Sequence, residues 1–246
     1  MKILLRIAYD GRGYCGWQVQ KNGMSVQGEL CRAAKETYHE PVKVTGCSRT
    51  DSGVSAREYF CTLETSDAAP KIPLDRLPAA LNVRLSEDIT VYSAAEADED
   101  FHPRYSVKTK TYRYVIDNGE YRDPFLNGKA WHLPKPLDAE RMDRAAKGFI
   151  GEYDFAAFMA SGSSVTDTVR TVTNAEVRRD GKNVIFEVTA NGFLYNMVRI
   201  MMGTLVEVSY GKIKEEEIGE IIASKDRKRA GVTAIPDGLC LHKVVY

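Results

Sequence analysis

With 246 residues, the chain is long enough to bury a substantial core as one large domain or as two close halves. Lys plus Arg and Asp plus Glu number 34 each, so no global positive field announces a nucleic-acid partner, although a concentrated basic surface serves that purpose equally at zero net charge. Five cysteines without a C-x-x-C pair read as reduced, mostly packed thiols of a cytosolic protein, and four scattered histidines lack metal-ligand spacing. The N-terminal apolar run is interrupted by Arg6 and is too short for a signal peptide, and no stretch approaches the roughly 20 apolar residues that span a bilayer. A cytoplasmic protein with no metal, no cofactor and no membrane association is expected.

Lys2 to Tyr9 alternates as a strand, and Asp10 to Trp17 follows as a glycine-rich loop. That loop lacks both the Gly-Lys-Ser/Thr ending and the G-x-G-x-x-G spacing of nucleotide-binding loops, so it is not read as a phosphate cradle. Ser25 is a good cap for a helix carrying Val26, Leu30, Ala33, Ala34 and Tyr38 on one face. Two alternating segments, Val42 to Thr45 and Arg57 to Leu63, then flank the run Ser48-Arg49-Thr50-Asp51-Ser52-Gly53-Val54-Ser55-Ala56. Gly53 suits a tight turn, and Arg49 is placed to hold Asp51 ionised and present it to a bound anion. On spacing alone, an ordinary polar turn with a surface ion pair explains the same residues. A helix over Leu74 to Leu85, a strand near Ile89 to Ala94 and an acidic loop from Glu96 to Asp100 come next. Phe101 to Tyr114 then interleaves four aromatics with four basic residues. This suits phosphate pairing plus base stacking, or equally a strand with one apolar face and its cations in water.

In the second half, Asp138 caps a helix carrying Met142, Ala145, Ala146 and Phe149, and Ala175 to Val188 reads as a hairpin turning at Asp180-Gly181. Met197, Ile200, Met201 and Leu205 fit a helix face, so the methionines read as core filler. Arg199 breaks that face: turned to a cleft it pairs with Asp51 or a phosphate, and turned outward it is a solvated charge. Lys225 to Arg229 carries four cations in a patch short enough to be plain surface, and a closing strand runs from Leu239 to Val245.

Five separated segments together resemble the TruA family of tRNA pseudouridine synthases. The 48–56 run agrees with the signature G-R-T-D-A-G-V-H-A at Arg49, Thr50, Asp51, Gly53, Val54 and Ala56, and departs from it at Ser48, Ser52 and Ser55. Tyr9, Asp10, Gly11, Tyr14, Gly16, Trp17 and Gln18 match Y-D-G...Y-x-G-W-Q, and Phe101 to Tyr114 matches D-F-H-x-R-x-S ahead of a Y-x-Y strand. Asn191 to Arg199 matches the family's second strong motif, and Thr233 to Leu241 resembles T-A-P-x-x-G-L-x-L with Ile235 at the usual Pro position and Pro236 one place later. The resemblance implies that Asp51 is catalytic and that Arg49, Tyr112 and Arg199 bind substrate. It further implies tRNA as partner, uridines on the 3' side of the anticodon stem-loop as targets, and a homodimer. The implied fold is α+β: two ferredoxin-like halves, 1–105 carrying the Asp loop and 106–246 completing the RNA-binding cleft, with mainly antiparallel sheets and a central active site. Two rivals stand beside this reading. Asp51-Ser52-Gly53 is also the D-[ST]-G triplet of aspartic proteases, but those need two such Asp residues and the chain has one. A non-catalytic RNA-binding module using the basic aromatic stretch alone would leave Asp51 dispensable.

Overall fold

Alternation decides the first strand: in β1 (Lys2–Tyr9), Ile3, Leu5, Ile7 and Tyr9 point into the core while Arg6 faces water. The protein is described by a computed structural model covering residues 1–21, 23–163 and 165–246. Its chain divides into two compact units, 1–108 with 241–246, and 109–240. Both are α+β with mainly antiparallel strand pairing, as expected. The last six residues belong to the first unit rather than the second half, because Val244 N donates to Glu58 (3.1 Å), Lys108 N donates to Val245 O (2.8 Å) and the Tyr246 hydroxyl donates to Pro103 O (2.8 Å).

In the first unit, β1 lies between β3 (Ser55–Glu64) and β4 (Ile89–Glu96), and β2 (Lys43–Gly46) also pairs with β3, all antiparallel. Helix α1 (Val26–Tyr38) starts where Ser25 Oγ accepts from Gly28 N at 3.1 Å, and it buries the expected face from Val26 to Tyr38. The expected helix over Leu74 to Leu85 is shorter. Only α2 (Leu77–Asn82) is regular, because its preceding residue Arg76 supplies no capping side chain and Pro78 sits in its first turn. Isolated turn bonds such as Leu85 N to Leu81 O continue the path beyond it.

In the second unit, β5 (Thr109–Asp117) pairs with β9 (Asn183–Ala190), β9 with β8 (Val169–Asp180) and β8 with β7 (Gly151–Asp154), all antiparallel. The short β6 (Trp131–His132) adds to β5 in parallel. β8 and β9 are the expected hairpin, with Gly181 at φ +57 in its turn. Asp138 Oδ1 accepts from Arg141 N at 2.9 Å to start α3 (Ala139–Lys147), and Phe149 is buried just past its end. Helix α4 (Met197–Ser209) is buried along most of its length; Met197 and Met201 pack in the core as read from their spacing, and Met202 is buried beside them. No disulfide joins the five cysteines; Cys47 and Cys61 are buried and the other three are half-buried. Among the described residues no group of His, Cys, Asp and Glu is placed to hold a metal ion, and no helix is long and apolar enough to cross a membrane.

A side chain at Gly203 in α4 would meet Val232 O at 1.8 Å. Backbone cannot step aside as a flexible side chain can, so Gly203→Ala should destabilise the protein by about 3 kcal/mol, read as a fall in the urea midpoint at unchanged slope. The expected cationic surface patch is partly inward. Arg227 donates to Gly231 O (2.9 Å) and to Thr233 (3.0 Å), while Lys225 Nζ sits 2.7 Å from Asp154, just outside α5 (Ile218–Ser224).

The hydrogen bond from Lys225, followed by that from Thr168, holds the Asp154 carboxyl below the usual carboxylate range. A group whose folded pKa is depressed stabilises above its unfolded pKa and loses that contribution as pH falls through the folded value. Lys225→Met should therefore cost a few tenths to about 1 kcal/mol at neutral pH. The gap from wild type in pH-dependent urea melts should close once acid protonates Asp154, and a gap that persists in acid would show that the carboxylate is not its source.

Candidate active site

Asp51 opens a four-residue turn closed by Val54 N donating to Asp51 O at 3.1 Å. The turn needs a positive φ at its third residue, which Gly53 supplies at +80. Asp51 itself is half-buried. The Asp10 to Trp17 loop braces this turn through bonds that include Gly53 N to Tyr14 O (3.2 Å), Ser52 Oγ to Tyr14 O (3.4 Å), Trp17 N to Thr50 O (3.2 Å) and Gly11 N to Ser55 Oγ (2.9 Å). The loops approach so closely that a Cβ on Gly16, at φ +102, would lie 2.5 Å from Thr50 O. Within the loop, residues Gly11–Gly13 form a short 3-10 turn and Arg12 folds back on Asp10 (2.7 Å), an arrangement unlike a phosphate cradle.

Two buried tyrosine hydroxyls hold the same turn from beneath. The Tyr59 hydroxyl donates to Ser48 O and accepts from Ser48 N (3.3 Å), and the Tyr9 hydroxyl bonds Thr50 Oγ1 at 2.9 Å. Tyr59 stacks on Trp17 with ring centres 4.2 Å apart, and burial pushes its hydroxyl well above the ordinary tyrosine range, so it stays protonated and keeps its donor. The residues on both sides of Arg49 are thus fixed to the sheet floor. Arg49 itself is exposed and, among the described residues, takes part in no ion pair.

The other two expected site residues lie in the second unit. Tyr112 is on β5, opposite Val188 of β9, only 6% exposed, with its ring edge-on to Phe193 at 5.0 Å. Arg199 is on the first turn of α4, half-buried, and bonds from Nε to Ala234 O (2.7 Å) and from Nη1 to Asn196 Oδ1 (2.8 Å) help orient its guanidinium. Asn196 precedes the helix in the left-handed region at φ +59, a conformation Asn tolerates better than most residues. Ala234 N returns a bond to Arg199 O (3.1 Å), and the buried Tyr114 hydroxyl donates to Ile235 O (2.6 Å). These bonds fix the path of the Thr233 to Gly238 segment, in which Pro236–Gly238 forms a 3-10 turn just after Ile235. Burial raises the Tyr114 hydroxyl far above its ordinary value, and the nearby Arg199 cation offsets only part of that effect.

Tyr9, Thr50, Tyr59 and Asn196 belong to the supporting constellation, and sequence reasoning gave none of them that role. The one available signal was that a tyrosine on a buried strand position must find a partner for its hydroxyl.

A family profile described as tRNA pseudouridine synthase matches residues 145–246. The chain is 46% identical to tRNA pseudouridine synthase A of Thermoanaerobacter sp. (strain X514) over 244 residues, covering 99% of both. It is 47% identical to tRNA pseudouridine synthase A of Acetivibrio thermocellus, and 46% identical to that of Caldicellulosiruptor bescii, each over 244 residues and 99% of both chains.

Proposed function

Because this chain belongs to the TruA family of tRNA pseudouridine synthases, we propose that it isomerises uridine to pseudouridine within tRNA, with Asp51 as its essential carboxylate. The observation that carries this reading is full-length similarity that includes a braced turn built around one Asp. Full-length similarity to synthases leaves the aspartic-protease reading of Asp51-Ser52-Gly53 without support.

The reaction breaks the bond from ribose C1' to base N1, turns the uracil, and joins C5 to C1'. The hydrogen at C5 leaves as a proton and N1 gains one, so nothing is oxidised and no group is donated from outside. Positive charge develops at C1' as the first bond breaks, and a carboxylate meets it either by attacking covalently or by removing a ribose proton and stabilising the charge. Both routes require Asp51 ionised and stationary. The bonds from Tyr9, Tyr14, Trp17 and Tyr59 to its turn provide the second condition.

Arg49, Tyr112 and Arg199 serve as substrate-binding residues in this reading. Arg49 is exposed and suited to a phosphate, whereas Arg199 arrives with its guanidinium already aimed. Tyr112, being 6% exposed, offers a narrow contact rather than a broad stacking face. The first half, carrying the Asp51 turn, supplies the chemistry, and residues of the second half supply further tRNA contacts. The target uridine must leave its stack before C1' can be reached. We place the target on the 3' side of the anticodon stem-loop and take the working form to be a cytoplasmic homodimer.

Site-resolved pseudouridine mapping on unmodified tRNA transcripts tests the reading. Conversion confined to the anticodon arm is the expected result. Conversion elsewhere would overturn the choice of target, and intact tRNA binding without any conversion would favour the non-catalytic module.

A further inference from the structure

The basic aromatic stretch from Phe101 to Tyr114 does not act as one surface. Tyr112 and Tyr114 are buried in β5, and the Tyr114 hydroxyl is committed to Ile235 O. Tyr105, by contrast, is 77% exposed.

Its exposure is built. His102 N donates to Ser106 Oγ (3.2 Å) and Ser106 N returns a bond to His102 O (2.9 Å), closing a tight loop. Arg104 N and Tyr105 N both approach His102 Nδ1, at 3.1 and 3.4 Å, which makes Nδ1 the acceptor and places the ring proton on Nε2. The loop is also fixed to the first unit, because the Tyr246 hydroxyl donates to Pro103 O (2.8 Å) and the Phe101 ring packs on Tyr246 at 5.1 Å. Tyr105 is braced in turn by the His102 ring at 4.3 Å and the Arg104 guanidinium at 5.9 Å. Contacts that favour one position of an exposed ring lower the ordering cost of a ligand that stacks on it.

We propose that Tyr105 is a stacking platform for an unpaired nucleobase of the RNA substrate, separate from the uridine that is isomerised. The proposal rests on the tRNA reading above. Stacking suits this place better than phosphate pairing, because the exposed carboxylates of Asp98, Glu99 and Asp100 immediately precede the loop and oppose a second negative charge. Every base offers a π-face, so the contact adds affinity without reading sequence.

The test is equilibrium binding of an unmodified tRNA transcript across a salt series, with urea midpoints for each variant. Tyr105→Ala should weaken binding about tenfold, Tyr105→Leu should be equally weak, and Tyr105→Phe should stay within about twofold of wild type. Because stacking releases no counterions, the slope of log affinity against log salt should be the same for all four proteins. The rate at saturating tRNA should be unchanged, which separates this contact from the chemistry. Tyr105→Leu binding as tightly as wild type would overturn the stacking role. Unchanged tRNA affinity of Tyr105→Ala with an altered oligomeric state would overturn it in favour of a protein contact. Failure of wild type to bind tRNA would overturn the tRNA reading and this proposal together.

Discussion

Asp51→Asn is expected to lower the rate of pseudouridine formation by on the order of 10^4-fold or more, the scale of loss when the group that performs the chemistry is removed. The substitution keeps the size and shape of the side chain and removes its charge. The turn should survive, because the substitution keeps the backbone bonds through Asp51 O, Gly53 N, Thr50 O and Ser48 that shape it. Affinity for tRNA should therefore stay within a few-fold of wild type and the urea midpoint should move little. That pattern of lost rate with retained binding separates a chemical role from a structural one. A variant that retains a tenth of the wild-type rate would sink the assignment.

Arg199→Lys should cost about 100-fold in kcat/KM, the loss typical of removing one placed electrostatic contact. A guanidinium donates along fixed directions, and here Nε and Nη1 are both engaged, with Ala234 O and Asn196 Oδ1. Lysine is a point charge on a flexible stem and cannot satisfy both partners while presenting charge in the same place. Asn196→Ala should produce a smaller loss, about tenfold, since it leaves the bond to Ala234 and removes only one brace. Steady-state kinetics on one tRNA transcript, paired with urea melts, decides the matter. Activity of Arg199→Lys within about twofold of wild type, at unchanged stability, would show that Arg199 only ties α4 to the Ala234 segment.

What the sequence made legible was local. β1 runs from Lys2 to Tyr9 as its alternation predicts, and Ser25 and Asp138 cap their helices, because period and capping are encoded within a few residues. The helix expected over Leu74 to Leu85 is shorter because Arg76 gives it no capping side chain and Pro78 confines its start. Arg227 was read among solvated charges, yet it bonds to the Gly231 carbonyl and to Thr233, which no local pattern announces. The site divides in the same way. The Asp51 turn was visible as a motif because its residues are contiguous. Its support was not, since Tyr9 meets Thr50 across 41 positions and Gly11 meets Ser55 across 44, contacts that only the folded chain creates. Ser55 illustrates both limits. It stands where the signature has His, and the structure gives it a scaffolding task, accepting from Gly11 N at 2.9 Å.

The most direct test follows the one atom the reaction must lose. Transfer of the ribose carbon from N1 to C5 expels the C5 hydrogen, so tRNA transcribed with tritium at C5 of uridine should release label to water as pseudouridine forms. Wild type should release it from anticodon-arm uridines in step with pseudouridine appearing at those positions, while Asp51→Asn, binding the same tRNA, should release none above background. Equal release by both proteins, or none by wild type while it binds tRNA, would contradict the account.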